Sequence, residues 1–92
     1  MRPRAYRVYP LSPGLLLVFK PRNHLERRHV HDYKQRIRLL EGRLEVRIGE
    51  DRKLVDRRHP KTAIPTGKAH STRALEDTWL IVERIGRREK RP

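Results

Sequence analysis

The sequence predicts an all-β fold built as a single domain. Apolar residues recur mostly with a period of two, and no stretch shows a sustained helical period. The alternating runs are short and are separated by Pro, Gly, Asn and Asp, which favour turns. The chain has 92 residues, which suits one domain over residues 1–92 with a modest core.

Eight short strands are predicted in the order in which the alternating runs follow one another. The second contains the longest strictly apolar run, Leu15 to Phe19, and the fifth alternates Leu44, Val46 and Ile48 with charged residues, which is typical of a half-buried strand. The segment that starts at Gly49 predicts a hairpin turn into the sixth. This number and spacing favour a small double-sheet β-barrel of the jelly-roll type, with residues 1–4 and 86–92 flexible. The predicted strands are Ala5–Tyr9, Leu15–Lys20, Leu25–His31, Gln35–Glu41, Arg43–Ile48, Lys53–Arg57, Ala69–Arg73 and Thr78–Ile85.

Three histidines form the candidate site. His29 and His31 are two residues apart in a predicted strand, so their side chains should point to the same face. Gln35 lies on the inward face of the next predicted strand and can point toward the same interior. Pro65 to Gly67 predicts a tight turn, and His70 is the first strong metal-ligand type to follow it.

The two stretches resemble the paired motifs of the cupin superfamily, G-x5-H-x-H-x3-4-E-x6-G and G-x5-P-x-G-x2-H-x3-N. The residues that match in register are His29, His31 and Gly42 in the first motif, and Pro65, Gly67 and His70 in the second. The departures are Asn23, Gln35, His59 and Ala74, which stand where the family has glycine, glutamate, glycine and asparagine.

The resemblance implies a cupin-like β-barrel that holds a divalent transition metal (Fe, Mn, Zn, Ni or Cu) in its interior. Three neutral imidazoles on one face suit such an ion and leave positions open for water or substrate. The chain has no cysteine, so imidazole and oxygen ligands are the candidates. The predicted ligands are His29, His31 and His70, and the resemblance leaves open whether the uncharged Gln35 amide joins them. A mechanism in which the motif glutamate acts as a base does not carry over to Gln35.

The chain is strongly basic, with 24 Lys and Arg against 11 Asp and Glu and a net charge of +13. Such a charge attracts phosphate, but the arginines are spread along the whole chain and accompany no helix-turn-helix or zinc-finger pattern. Specific nucleic-acid binding is therefore not favoured. The outward-facing arginines of neighbouring strands could form a basic stripe or an ordinary solvated surface; they are Arg36, Arg38, Arg43 and Arg47.

A positive field around a metal centre attracts anions, so the expected ligand is a small anionic molecule. The candidate residues to bind it are Lys20, Arg22, Lys34 and Arg73, which lie near strand ends beside the motifs. A metal-dependent dioxygenase or isomerase of a small acid is the first alternative. The second is a metal-free ligand-sensing or nucleic-acid-associated basic module.

Two sequence features favour binding over catalysis, namely the absence of a carboxylate at Gln35 and of any second acid on the predicted inner faces. The longest apolar run is far shorter than the roughly 20 residues of a membrane helix, and we expect a cytoplasmic protein. A homodimer is also expected, because a small barrel leaves strand edges to cover.

Overall fold

The structure is a computed structural model that describes residues 3–86. Its regular secondary structure consists entirely of β-strands within this range, and it contains no helix there that could cross a membrane. The strands are β1 (Arg7–Ser12), β2 (Leu15–Lys20), β3 (Leu25–His29), β4 (Lys34–Glu41), β5 (Leu44–Ile48), β6 (Asp51–Val55), β7 (Lys61–Ile64), β8 (His70–Ala74) and β9 (Thr78–Ile85).

The strands form two antiparallel sheets. One has five strands in the order β1-β2-β9-β4-β7, and the other has four in the order β3-β8-β5-β6. Consecutive strands β4 and β5 belong to different sheets, so the chain changes sheet at Gly42 and Arg43. The predicted all-β, double-sheet fold is confirmed.

Each predicted strand overlaps an observed one, but two predictions need correction. The sequence did not predict β7, because this strand has four residues and lies between Pro60 and Pro65, which favour turns. The third strand was predicted to reach His31, whereas β3 ends at His29. Of the termini predicted to be flexible, residues 1–2 and 87–92 lie outside the described residues.

The hydrophobic core lies between the two sheets. Side chains alternate along each strand, so every second residue of β5, of the middle of β4 and of the first part of β9 is buried. A fully buried Val or Leu contributes about 1.5–3 kcal/mol, which makes this core the main source of stability. The buried cluster consists of Val18, Ile37, Leu39, Leu44, Val46, Ile48, Val55, Ile64, Ala74, Leu80 and Val82.

Two threonines with buried hydroxyl groups differ in how those groups are satisfied. The Thr78 hydroxyl accepts a hydrogen bond from the Arg43 backbone N–H at 3.2 Å and lies 2.7 Å from the Glu76 carbonyl oxygen, to which it can donate. Thr78 thereby ties the start of β9 to the chain just before β5. Within residues 3–86, the buried hydroxyl of Thr62 on β7 has no hydrogen-bond partner.

Thr78→Val is expected to lower the free energy of unfolding by about 1–3 kcal/mol, because the Arg43 N–H loses its acceptor. Thr62→Val makes the same chemical change without breaking a hydrogen bond, and should change stability by less than about 0.5 kcal/mol or increase it. Urea titration of the two variants measures both values. Equal losses in the two would contradict the role given to the Thr78 hydroxyl.

Candidate metal centre

Paired strands bring two of the three predicted histidines together. In the antiparallel pair of β3 and β8, His29 lies directly opposite His70. His31 is not in the predicted strand but two residues beyond the end of β3, in the loop that leads to β4. One nitrogen from each ring lies within 4.8 Å of the others, and Nε2 of His29 is 3.0 Å from Nε2 of His31.

Hydrogen bonds to the backbone orient two of these rings. Nδ1 of His29 lies 2.6 Å from the Arg27 carbonyl oxygen, and Nδ1 of His70 lies 3.0 Å from that of Lys68. Because a carbonyl oxygen can only accept, each Nδ1 carries the proton and donates it. The neutral rings then present the lone pair of Nε2, which is the usual arrangement of metal-binding histidines. This donor set fits a divalent transition metal.

Two of the three histidines, His29 and His70, border a small cavity between the sheets. Its volume is about 40 Å³, and its apolar side includes Ile37, Leu44 and Leu80. Gln35 also lines it from β4, as the sequence predicted for its face. A water molecule needs roughly 10–15 Å³ of such volume, so the cavity can hold an ion and a few waters. Typical organic ligands fill pockets of about 300 Å³ or more, so the cavity is too small for them.

A β-bulge adds a carboxylate that the sequence did not predict. Strict alternation from His29 places Glu26 on the opposite face of β3, in agreement with the expectation of no second acid on the inner faces. The pairing of β3 with β8 is irregular, however, since Glu26 pairs with Thr72 and His29 with His70. Three steps along β3 therefore match two along β8, which turns Glu26 and His29 to the same side. Glu26 lines the cavity, and that expectation was wrong.

A buried lysine holds this carboxylate. Nζ of Lys20 lies 2.7 Å from Oε1 of Glu26 and 3.0 Å from the Thr72 hydroxyl, and Lys20 is 4% exposed. Burial alone would raise the pKa of the Glu26 carboxyl, but the charge and hydrogen bond of Lys20, with a contribution from His29, outweigh it and lower that pKa. Glu26 is therefore ionised at neutral pH. The His31 imidazole has a lowered pKa, first because of burial and then because of the nearby His29 and His70 rings.

Of the four residues predicted to bind an anion, Lys20 lines the cavity and the other three do not. Arg22 is exposed in the turn after β2, where its backbone N–H donates to Oδ1 of Asp77 at 2.8 Å. Lys34 and Arg73 are exposed on β4 and β8, each next to a residue that faces inward. An anion bound at the centre would therefore meet Lys20 rather than the three others.

Two further aromatic contacts distinguish the site from its surroundings. The ring of Tyr33 stacks on His31 with centroids 4.6 Å apart, so Tyr33 borders the centre. His24 stacks on Tyr6 at 4.5 Å, and the His59 side chain is 79% exposed. The last two histidines are thus outside the centre, in line with their position outside the motif matches.

The outward arginines do not form one basic stripe. Arg36 and Arg38 lie on β4 in the five-stranded sheet, whereas Arg47 lies on β5 in the other sheet. Several are also next to acids, since Arg36 lies 3.9 Å from Glu83. The same holds for Arg43 with Glu76 at 3.9 Å and Arg47 with Glu45 at 3.8 Å. A solvated, partly paired surface describes them better than a phosphate-binding track.

The comparisons with known proteins support the fold. A conserved protein of unknown function from Streptococcus pyogenes matches with a TM-score of 0.78 and 17% identity, over 92% of this chain and 75% of its own. A cupin superfamily protein from Desulfitobacterium hafniense matches with a TM-score of 0.74 and 11% identity, over 92% and 84%. Salicylate 1,2-dioxygenase from Pseudoaminobacter salicylatoxidans matches with a TM-score of 0.70 and 13% identity, over 87% of this chain and 25% of the dioxygenase.

No family model and no curated protein matches the chain by sequence. The structural matches and the two sheets nonetheless agree with the motifs. The chain has the fold of the cupin superfamily.

Proposed function

We propose that this protein is a small metal-binding cupin that holds a divalent transition metal through His29, His31 and His70. The observation that carries the proposal is the convergence of three ring nitrogens within 4.8 Å, two of them from rings fixed by backbone hydrogen bonds. Gln35 lines the same cavity and can offer an uncharged oxygen. The ligand is a small, anionic molecule, drawn by the net charge of +13.

The bound metal would polarise or activate an oxygen atom of water or of the ligand. The residues of this chain orient the centre, since Arg27 and Lys68 fix two rings through their carbonyl groups. The small cavity limits water to a few molecules. The homodimer and the cytoplasmic location remain predictions.

A metal-dependent dioxygenase or isomerase of a small acid is the second candidate function. One observation favours it, the ionised carboxylate of Glu26 beside His29, which supplies a proton acceptor that Gln35 cannot. One of the structural neighbours is itself a dioxygenase, but at 13% identity it supports the shared fold alone.

Elemental analysis of the purified protein tests the proposed function. We expect close to one equivalent of a transition metal per chain after purification without chelators, or after loading the protein with Zn(II), Mn(II) or Fe(II). If the protein binds none of these ions at micromolar concentrations, the proposed function is wrong and the metal-free binding module takes its place.

Metal occupancy is expected to fall as the pH falls, with half-occupancy below pH 6.5. An imidazole must be neutral to bind a metal, and burial together with His29 and His70 lowers the pKa of His31 from its usual 6.5. The lone pair thus stays available to a lower pH than on an ordinary histidine. Elemental analysis after equilibration between about pH 8 and pH 4 measures the curve, and unchanged occupancy down to about pH 4 would contradict a histidine site.

A further inference from the structure

The metal centre lacks the negative charge that a motif glutamate would supply. Gln35 occupies that position, and an amide neither compensates the charge of a cation nor takes up a proton. With three neutral imidazoles, the bound ion would keep its full double charge in a chain of net charge +13. Such a centre is stabilised by any carboxylate that reaches it.

Glu26 lies beside His29 of the centre, on a different strand from Gln35. Its Oε2 lies 3.7 Å from Nε2 of His29, the nitrogen whose lone pair faces the centre. Two ligand atoms about 2.1 Å from one ion lie roughly 3.0–3.4 Å apart, so this oxygen is only slightly outside the range of a shared ion. The bulge in β3 is what brings it there, since it turns Glu26 and His29 to the same side.

The two oxygens of the Glu26 carboxylate have different surroundings. Oε1 accepts the hydrogen bond from Lys20, which fixes the carboxylate from the side of Thr72. Oε2 is the oxygen directed toward His29. The geometry thus holds one oxygen in the wall of the cavity and leaves the other for the centre.

We propose that Glu26 is the anionic group of this metal centre, in place of a glutamate at position 35. This inference rests on the proposed function. Lys20 is a positioning residue that holds the carboxylate by Oε1. The carboxylate that the motif provides from β4 is provided here from β3. The centre would then have a negatively charged ligand group even though Gln35 departs from the first motif.

Isothermal titration of the metal-free protein with Co(II) and Zn(II) tests the proposal, with the d–d absorption of Co(II) as a spectroscopic readout. Glu26→Gln is expected to lower the association constant about 10- to 100-fold and to change the Co(II) spectrum. The matched control is Glu45→Gln, which removes a carboxylate that Arg52 and Arg47 hold away from the cavity. It should change affinity less than about twofold.

A rescue variant makes the test specific for charge. Glu26→Gln combined with Gln35→Glu returns a carboxylate to the same cavity from β4, and should recover most of the lost affinity. Because Glu26→Gln removes the negative charge that pairs with the buried Lys20, the effect is also measured in a Lys20→Met background, which stays informative if the single variant does not fold.

The outcomes separate this inference from the function on which it rests. If wild-type protein binds neither Co(II) nor Zn(II), the proposed metal function fails. If wild-type protein binds them and Glu26→Gln binds equally well with an unchanged spectrum, the inference about Glu26 is overturned and the three-histidine centre stands.

Discussion

Replacing His70 with alanine is expected to abolish stoichiometric metal binding, with a loss in association constant of more than about 100-fold. His70 is 3% exposed, and its ring is held by the Lys68 carbonyl opposite His29. Its removal leaves two imidazoles, one of them from a loop. Titration with Zn(II) and elemental analysis of the dialysed protein measure the loss.

Two further variants show whether this loss is specific to the proposed ligands. His59→Ala removes an imidazole that is 79% exposed and outside the cavity, so it should bind metal as the wild type does. His31→Ala removes a partly exposed ligand from a loop, which disturbs the fold less than a change at buried His70. Full occupancy in both His70→Ala and His31→Ala would show that the ion, if bound, is held elsewhere.

Gly42→Ala is expected to lower the free energy of unfolding by about 3 kcal/mol or more. Gly42 has a φ of +104°, and a Cβ built on it would lie 2.5 Å from the Asp77 carbonyl oxygen and 2.5 Å from the Thr78 hydroxyl. Both contacts are far shorter than van der Waals distances. The obstacle is backbone and a buried side chain at the point where the chain crosses between sheets, so local adjustment cannot relieve it.

Gly67→Ala separates the two sources of this cost. Gly67 also has a positive φ, +78°, but a Cβ there would meet nothing within 4 Å. Its substitution should therefore cost about 1 kcal/mol, the conformational part alone. Urea unfolding of the two variants gives the comparison. Similar losses would mean that the close approach at Gly42 contributes little.

Much of the fold follows from patterns that the sequence displays directly. The alternation of Leu44, Val46 and Ile48 with charged residues places one face of β5 in the core, and the structure buries these three side chains. The Pro65–Gly67 turn before His70 and the spacing of His29 and His31 also act locally, so the converging rings could be predicted from the motifs.

What the sequence does not display is the pairing register. The extra residue between Glu26 and His29 depends on how β3 meets β8, and nothing in the residue types signals it. Strict alternation therefore places Glu26 on the wrong face. His31 was placed on a strand because its spacing from His29 fits alternation, although pairing ends at His29. The four residues of β7 acquire strand structure from their contact with β4 rather than from a pattern of their own.

The bulge in β3 makes the chemistry of the cavity depend on how the strand pairs as well as on its residue types. If β3 paired with β8 in regular alternation, Glu26 and His29, which are three residues apart, would point the carboxylate and the imidazole to opposite sides. A change in pairing can thus add or withdraw an ionised group at such a pocket while both residues stay the same. Alignments of this fold that score substitutions alone would not register the change.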